Sequence, residues 1–348
     1  MKAIEHYREA IRSLKARNLK PMLTLHHFTN PLWLTGKGGW EHPEVVHLFD
    51  RNTRFVAEKL GRDVELWITI NEPVVYAYLG YLDGSRPPDK RDFNRTMRVI
   101  KHMLLAHGRV FHTIHSLLGK SCAVGIAKHC RIMDPFNRNS PADTLISYAF
   151  DYMFNRLFVK ACLTGIIPPP AASFQSISRL KNTLDFIGVN YYSSELVKFD
   201  PGRPDSLYSI LTTKPGSAVN SRGWEIYPYG LYRILLRLKK HKKPIYITEN
   251  GIATDEDTQR SHYIMDHLTQ VHRAISRGID IRGYFYWTFM DNFEWDEGYR
   301  ARFGLMHVDF NTRKRTLRPS GKLFAEIAKQ GAITEEIRKM LLSKTGRL

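Results

Sequence analysis

A parallel α/β barrel of the (β/α)₈ type is the fold class predicted by the sequence, and three observations predict it. Six short apolar segments each follow a stretch whose apolar residues have helical spacing, the rhythm of parallel βα units. The segments are apolar on both faces, so both need cover, as in a barrel or a doubly wound sheet. Their C-terminal ends decide between the two. Histidines, Asn-Glu, Asn-Tyr-Tyr, Thr-Glu-Asn and Trp stand there, and a barrel collects that end of every strand into one pocket. No glycine-rich phosphate loop follows any segment, which argues against a dinucleotide-binding sheet.

In chain order, the spacing of Ile4, Tyr7, Ile11 and Leu14 predicts a helix over about 3–17, and the run from Pro21 to Phe28 a strand ending in His26 and His27. A helix over about 44–60 precedes a strand at about 66–70, after which Asn71-Glu72-Pro73 turns the chain out of the sheet. A helix over about 94–118 precedes a strand at about 122–128, and one over about 143–164 precedes a strand at about 186–192. The helix at about 229–240 leads to Ile245-Tyr246-Ile247-Thr248, which delivers Glu249 to a strand end just before the turn signal Asn250-Gly251. A helix over about 261–277 leads to a strand ending at Trp287, and a last helix covers about 320–329. Pro168-Pro169-Pro170 and the polar segment of about 201–222 read as long loops on the face that carries the chemistry. No domain boundary stands out, so 1–348 is expected to be one barrel domain.

At 43% hydrophobic and 12% aromatic residues the chain is too apolar for disorder, and no segment has the roughly eighteen uninterrupted apolar residues of a membrane span. The first twenty residues are charged every few positions and lack a signal peptide's apolar centre. Cys122, Cys130 and Cys162 are odd in number and have no CxxC spacing, which argues against a disulfide framework or a zinc site and fits a reducing cytoplasm. The net charge of +18 raises nucleic-acid binding, yet the basic runs at 239–243 and 313–315 are brief and no recognition motif accompanies them. They read as solvated faces. A cytoplasmic protein without cofactor, membrane or nucleic-acid partner is expected.

Glu72 and Glu249 are the candidate catalytic pair. Two carboxyl groups about 5 Å apart across a sugar can hydrolyse a glycosidic bond, one as nucleophile and one as acid and then base. The nucleophile must stay ionised, and Tyr192 is the candidate donor to Glu249. The acid must hold a proton near neutral pH, so Glu72 is expected to be raised by burial and by the opposing carboxylate. Asn71 is placed to meet a sugar 2-hydroxyl. His26 and His27 are adjacent on a strand, so one faces the pocket while the other packs, which argues against a metal pair. Trp295, among Asp291, Asn292, Glu294 and Asp296, suits a pocket rim where an indole stacks on a sugar.

Five stretches then resemble a known family: Thr24-Leu25-His26-His27-Phe28, Thr69-Ile70-Asn71-Glu72-Pro73, Gly188-Val189-Asn190-Tyr191-Tyr192, Ile247-Thr248-Glu249-Asn250-Gly251 and the run from Tyr286 to Trp295. In this order they are similar to glycoside hydrolase family 1, retaining β-glucosidases and β-galactosidases built as (β/α)₈ barrels. The resemblance implies Glu72 as acid/base and Glu249 as nucleophile, with Asn71 on the 2-hydroxyl and Tyr192 holding the nucleophile. It implies that His27 and Trp295 bind glycone hydroxyls, that Glu294 accepts from the outer two and that Trp287 floors the ring. Asn190 and Phe303 would line the same pocket. A carboxylate at Glu294 repels a 6-phosphate, so unphosphorylated β-glycosides or oligosaccharides are the implied substrates.

The chain departs from the family at its front and at Arg86, where relatives often carry Trp. Met1 opens on what resembles the helix after the second strand, so about six of the eight βα units are expected. The absent units would carry a glycone-binding Gln and an Arg near the nucleophile. Open edges then imply a homo-oligomer. The alternative reading is a truncated, weakly active or inactive barrel that binds sugars or another ligand or serves in assembly.

Overall fold

The computed structural model describes residues 2–342. Its principal elements follow the βα rhythm. They are α1 (Lys2–Lys15), β1 (Met22–His26), α2 (Val45–Leu60), β2 (Leu66–Asn71), α3 (Phe93–Leu118), β3 (Ala123–Pro135), α4 (Pro141–Asp151) and α5 (Leu157–Thr164). Then come β4 (Phe186–Phe199), β5 (Ser209–Thr212), α6 (Pro228–Leu238), β6 (Ile245–Asn250), α7 (Asp257–Ile275), β7 (Ile281–Tyr286), the hairpin β8 (Met306–Val308) and β9 (Arg315–Leu317), and α8 (Pro319–Gln330). The described residues form two compact units, 2–129 with 150–189 and 130–149 with 190–342.

In the first unit β1 pairs in parallel with β2, Met22 opposite Leu66 and His26 opposite Ile70, and β2 pairs in parallel with β3. The start of β4 lies beyond β3, entered through Asp185 N–H donating to Val124 O at 2.9 Å. One face of α1 presents Ile4 and Ile11, two turns apart, to a core with Ala57, Leu60, Trp67, Phe111, Ile114 and Val124. Trp67 is wholly buried, and its truncation to Ala removes on the order of 3–5 kcal/mol. Helices α2 and α3 are joined through the buried Asp50 carboxylate, which accepts from Arg109 Nε at 2.8 Å and from the Thr113 hydroxyl. A buried carboxylate needs such donors.

In the second unit β6 and β7 are parallel, Ile245 opposite Ile281 and Asn250 opposite Tyr286. The end of β4 pairs antiparallel with β5, Leu196 opposite Thr212. Ile264, Met265, Tyr286, Leu305, Leu323 and Ile327 form one core between β7, α7 and α8, and a smaller cluster gathers Tyr192, Ala253, Ala301 and Phe303 with Trp224 and Trp287. Buried Asp291 organises the turn after β7, accepting from Gly304 N–H at 2.8 Å and from Arg318 at 3.1 Å.

The structure corrects several element boundaries. Strand β1 stops at His26, because Phe28 adopts φ 69° and leaves the sheet conformation. Strands β3 and β4 run to 13 and 14 residues, well past the apolar runs at about 122–128 and 186–192, because their later residues find partners: Phe136 N–H donates to Val197 O at 2.9 Å. The single helix expected over about 143–164 is broken by a π turn at Tyr152–Arg156, where Asn155 Nδ2 and Arg156 Nε both turn back onto Asp151. The segment read as loop at about 201–222 contains β5.

Candidate active site

In the first unit, β2 delivers Asn71 and Glu72 to its C-terminal end. Glu72 N–H donates to Ala127 O at 2.7 Å, keeping it in register with β3, while its own φ of 47° and the following Pro73 turn the chain into the short helix Pro73–Ala77. A left-handed conformation at a non-glycine residue costs about 1–3 kcal/mol and persists where its surroundings enforce it. The Glu72 side chain is buried and its Oε1 lies 2.9 Å from His129 Nδ1 on β3. His129 packs edge-on against Phe154 at 5.5 Å, and its carbonyl accepts from the buried Lys128 Nζ at 2.6 Å. Asn71 Nδ2 lies 3.0 Å from His27 Nε2. Burial pushes the His27 imidazole below its ordinary value, opposed by the Glu72 charge, so the ring is neutral near pH 7. His26, by contrast, packs among Trp40, Phe49 and Tyr76 and accepts from Trp40 Nε1 at 3.2 Å.

In the second unit, β6 delivers Glu249. The carboxylate is buried and its Oε2 accepts from Tyr192 Oη at 2.7 Å. Asn190, fully buried on β4, accepts from Thr248 Oγ1 at 2.6 Å. Asn250, the residue after Glu249, points away from it to Tyr191 O, the Tyr263 hydroxyl and the Tyr284 hydroxyl at 2.6–2.8 Å. Gly251 is required by space: a Cβ there would stand 1.8 Å from Trp287 O. Tyr192 meets Phe303 edge-on at 6.1 Å and Trp224 at 5.9 Å, and Trp287 packs against the same cluster.

Glu294 and Trp295 occupy a tight turn closed by Glu294 N–H donating to Gly298 O at 2.7 Å, with Trp295 at φ 48°. Both are half-buried. The Glu294 carboxylate is ion-paired with Arg222 at 3.7 Å.

The structure thus places His27, Asn71 and Glu72 together in one unit, and Asn190, Tyr192, Glu249, Trp287 and Phe303 together in the other, with Glu294 and Trp295 on a turn of the latter. Two site residues escaped the sequence reading. His129 lies 57 positions from Glu72 and just past the strand expected at about 122–128. Arg222 stands in a polar loop that gives no sign of its partners. Among the described residues no group of three or more His, Cys, Asp or Glu side chains is placed to hold a metal ion, and no helix is long and apolar enough to cross a membrane.

Comparison with known proteins bears on the family. The profile of glycosyl hydrolase family 1 matches residues 1–332. Beta-glucosidase A of Thermotoga maritima is 33% identical over 96% of this chain and 79% of its own length, and beta-galactosidase of Saccharolobus solfataricus is 35% identical over 96% and 72%. Among solved structures, a beta-glycosidase from Pyrococcus horikoshii superposes with a TM-score of 0.90 at 37% identity, covering 97% of this chain and 78% of that one. The Thermotoga maritima beta-glucosidase in complex with deoxynojirimycin gives a TM-score of 0.87 at 32% identity over 96% and 79%. The parallel βα architecture, the strand-end residues and these matches agree: the chain belongs to glycosyl hydrolase family 1.

Proposed function

We propose that the chain is a retaining β-glycosidase acting on unphosphorylated β-glucosides and β-galactosides by double displacement. A Glu249 carboxylate oxygen attacks the anomeric carbon while Glu72 gives its proton to the departing glycosidic oxygen, so the C1–O bond breaks as the glycosyl ester forms. Glu72, now a carboxylate, takes a proton from water, whose oxygen attacks C1; the ester bond to Glu249 breaks and the sugar leaves with its original anomeric configuration. A sugar hydroxyl in place of that water gives transglycosylation. Tyr192 orients Glu249, Asn71 holds the 2-hydroxyl, His27, Trp295 and Glu294 bind the remaining glycone hydroxyls, and Trp287, Asn190 and Phe303 shape the pocket. His129 orients Glu72 as proton donor.

The observation that carries this reading is the buried 2.7 Å hydrogen bond from Tyr192 to Glu249, which orients a strand-end carboxylate and favours its charged form. The Glu294 carboxylate supports the unphosphorylated class, since a phosphate beside it would be repelled.

The test is azide rescue of nitrophenyl β-glucoside hydrolysis. Glu249→Ala is expected to be inactive and to yield the α-glycosyl azide when azide replaces the carboxylate as nucleophile. Glu72→Ala is expected to yield the β-glycosyl azide from an activated glycoside. Rescue with the two stereochemistries exchanged, or wild-type rates in either variant, would refute the roles.

A further inference from the structure

Arg222 is clamped on three sides. Its guanidinium stands 3.1 Å from Glu297 Oε1 and 3.7 Å from Glu294 Oε1, and it lies over the Trp224 ring at 4.4 Å. The loop that carries it is fixed as well: Asn220 Oδ1 accepts from Arg222 N–H at 2.9 Å and from Trp224 N–H at 3.0 Å, while Ser221 donates to Ala253 O through its hydroxyl at 2.9 Å. Ala253 follows Glu249 by four residues, and Trp224 meets Tyr192, the donor to Glu249, edge-on at 5.9 Å. The Arg222 side chain is only 15% exposed and that of Glu294 12%.

Glu294 and Glu297 are three residues apart on one turn and carry like charges. Arg222 stands against both and offsets their repulsion. The 3.7 Å contact is too long for a hydrogen bond, so Arg222 acts on that carboxylate by charge. The shorter contact to Glu297 and the indole stack supply the anchor, and a guanidinium suits both at once because it is planar and permanently charged.

We propose that Arg222 is a specificity-determining positioning residue that aims Glu294 at the outer end of the sugar, so that neutral hexopyranosides with an intact 6-hydroxyl are preferred over their 6-deoxy counterparts. The proposal rests on the reading of Glu294 as acceptor for the outer hydroxyls. A carboxylate aimed at the 6-hydroxyl discriminates because a 6-deoxy sugar leaves it without that donor.

The experiment compares nitrophenyl β-galactoside with nitrophenyl β-fucoside, which differ only in the 6-hydroxyl, on the wild type, Arg222→Met, Arg222→Lys and Glu294→Gln. Arg222→Met is expected to lower the galactoside-to-fucoside ratio of kcat/KM about five- to tenfold, through KM, and Arg222→Lys to restore most of it. A purely structural role would depress both substrates alike and leave the ratio unchanged in Arg222→Met, and that overturns the proposal. A ratio that moves in Glu294→Gln but not in Arg222→Met overturns the Arg222 assignment alone. A ratio unmoved in Glu294→Gln removes the underlying reading and the proposal with it.

Discussion

Replacing Tyr192 with Phe removes one oxygen and leaves the ring where it is. The hydroxyl donates to Glu249 Oε2 at 2.7 Å, and the ring keeps its edge contacts to Trp224 at 5.9 Å and Phe303 at 6.1 Å. A hydrogen bond to an ionised group contributes about 1.5–3 kcal/mol, and about 1.4 kcal/mol is tenfold in rate, so kcat/KM is expected to fall roughly 10- to 150-fold. The direction with pH follows from the same contact. The hydroxyl stabilises the charged carboxylate, so without it protonation sets in at higher pH, and the acid limb of the kcat/KM profile moves upward. The assay is nitrophenyl β-glucoside hydrolysis from pH 4 to 8, with a melting curve beside it. Activity within about twofold of wild type and an unmoved acid limb would refute the role of the hydrogen bond, provided the fold is intact.

Three further outcomes are expected. His129→Phe removes the partner of Glu72 Oε1, so it should slow glycosides with poor leaving groups at least tenfold more than dinitrophenyl glycosides, which need little protonation; equal losses on both would contradict the assignment. Gly251→Ala forces a Cβ to 1.8 Å from Trp287 O, and the backbone shift should cost about 3 kcal/mol or more and displace Glu249, read as a lowered melting temperature with lost activity. Acid should destabilise the fold earlier than carboxylate titration alone. Burial holds His26 and His107 down to about 4 and His267 to about 3, against an ordinary 6.5. His107 has a partner for each ring nitrogen, the Thr69 hydroxyl at 2.8 Å and Thr183 O at 2.8 Å. The unfolded chain binds these protons and the folded one does not, so their stabilisation is full above pH 6.5 and is lost as pH falls from there toward 4 and 3. At pH 5 each costs roughly 2 kcal/mol, and chemical denaturation at pH 5 and 7 measures the difference; equal midpoints would contradict the shifts.

What the sequence disclosed depends on how far apart the partners lie. The centres of β1, β2, β6 and β7 are apolar runs bounded by turn residues, and burial of both faces writes itself into such runs. The later halves of β3 and β4 are partly buried, but they carry His129, Arg131, Ser193 and Ser194, whose polarity imitates a loop until their strand partners are known. The π turn at Tyr152–Arg156 depends on how Asp151 is shared between two side chains, which periodicity cannot register. At the site, Glu249 was legible because it stands at a strand end, and Tyr192 because the apolar run that opens β4 stops there, although the strand itself continues to Phe199. His129 and Arg222 were not, because each acts through one long-range contact from a position with no motif of its own.

The central claim is that Glu249 is the nucleophile of a retaining β-glycosidase. The most direct measurement is incubation with an activated 2-deoxy-2-fluoro-β-glucoside, followed by mass spectrometry of the intact chain and of its peptides, since the fluorine slows both formation and breakdown of the glycosyl ester while the activated leaving group restores its formation. One fluoroglucosyl group per chain, mapped to Glu249 and absent from Glu249→Ala, is the predicted result. No label, or label on another residue, would contradict the account.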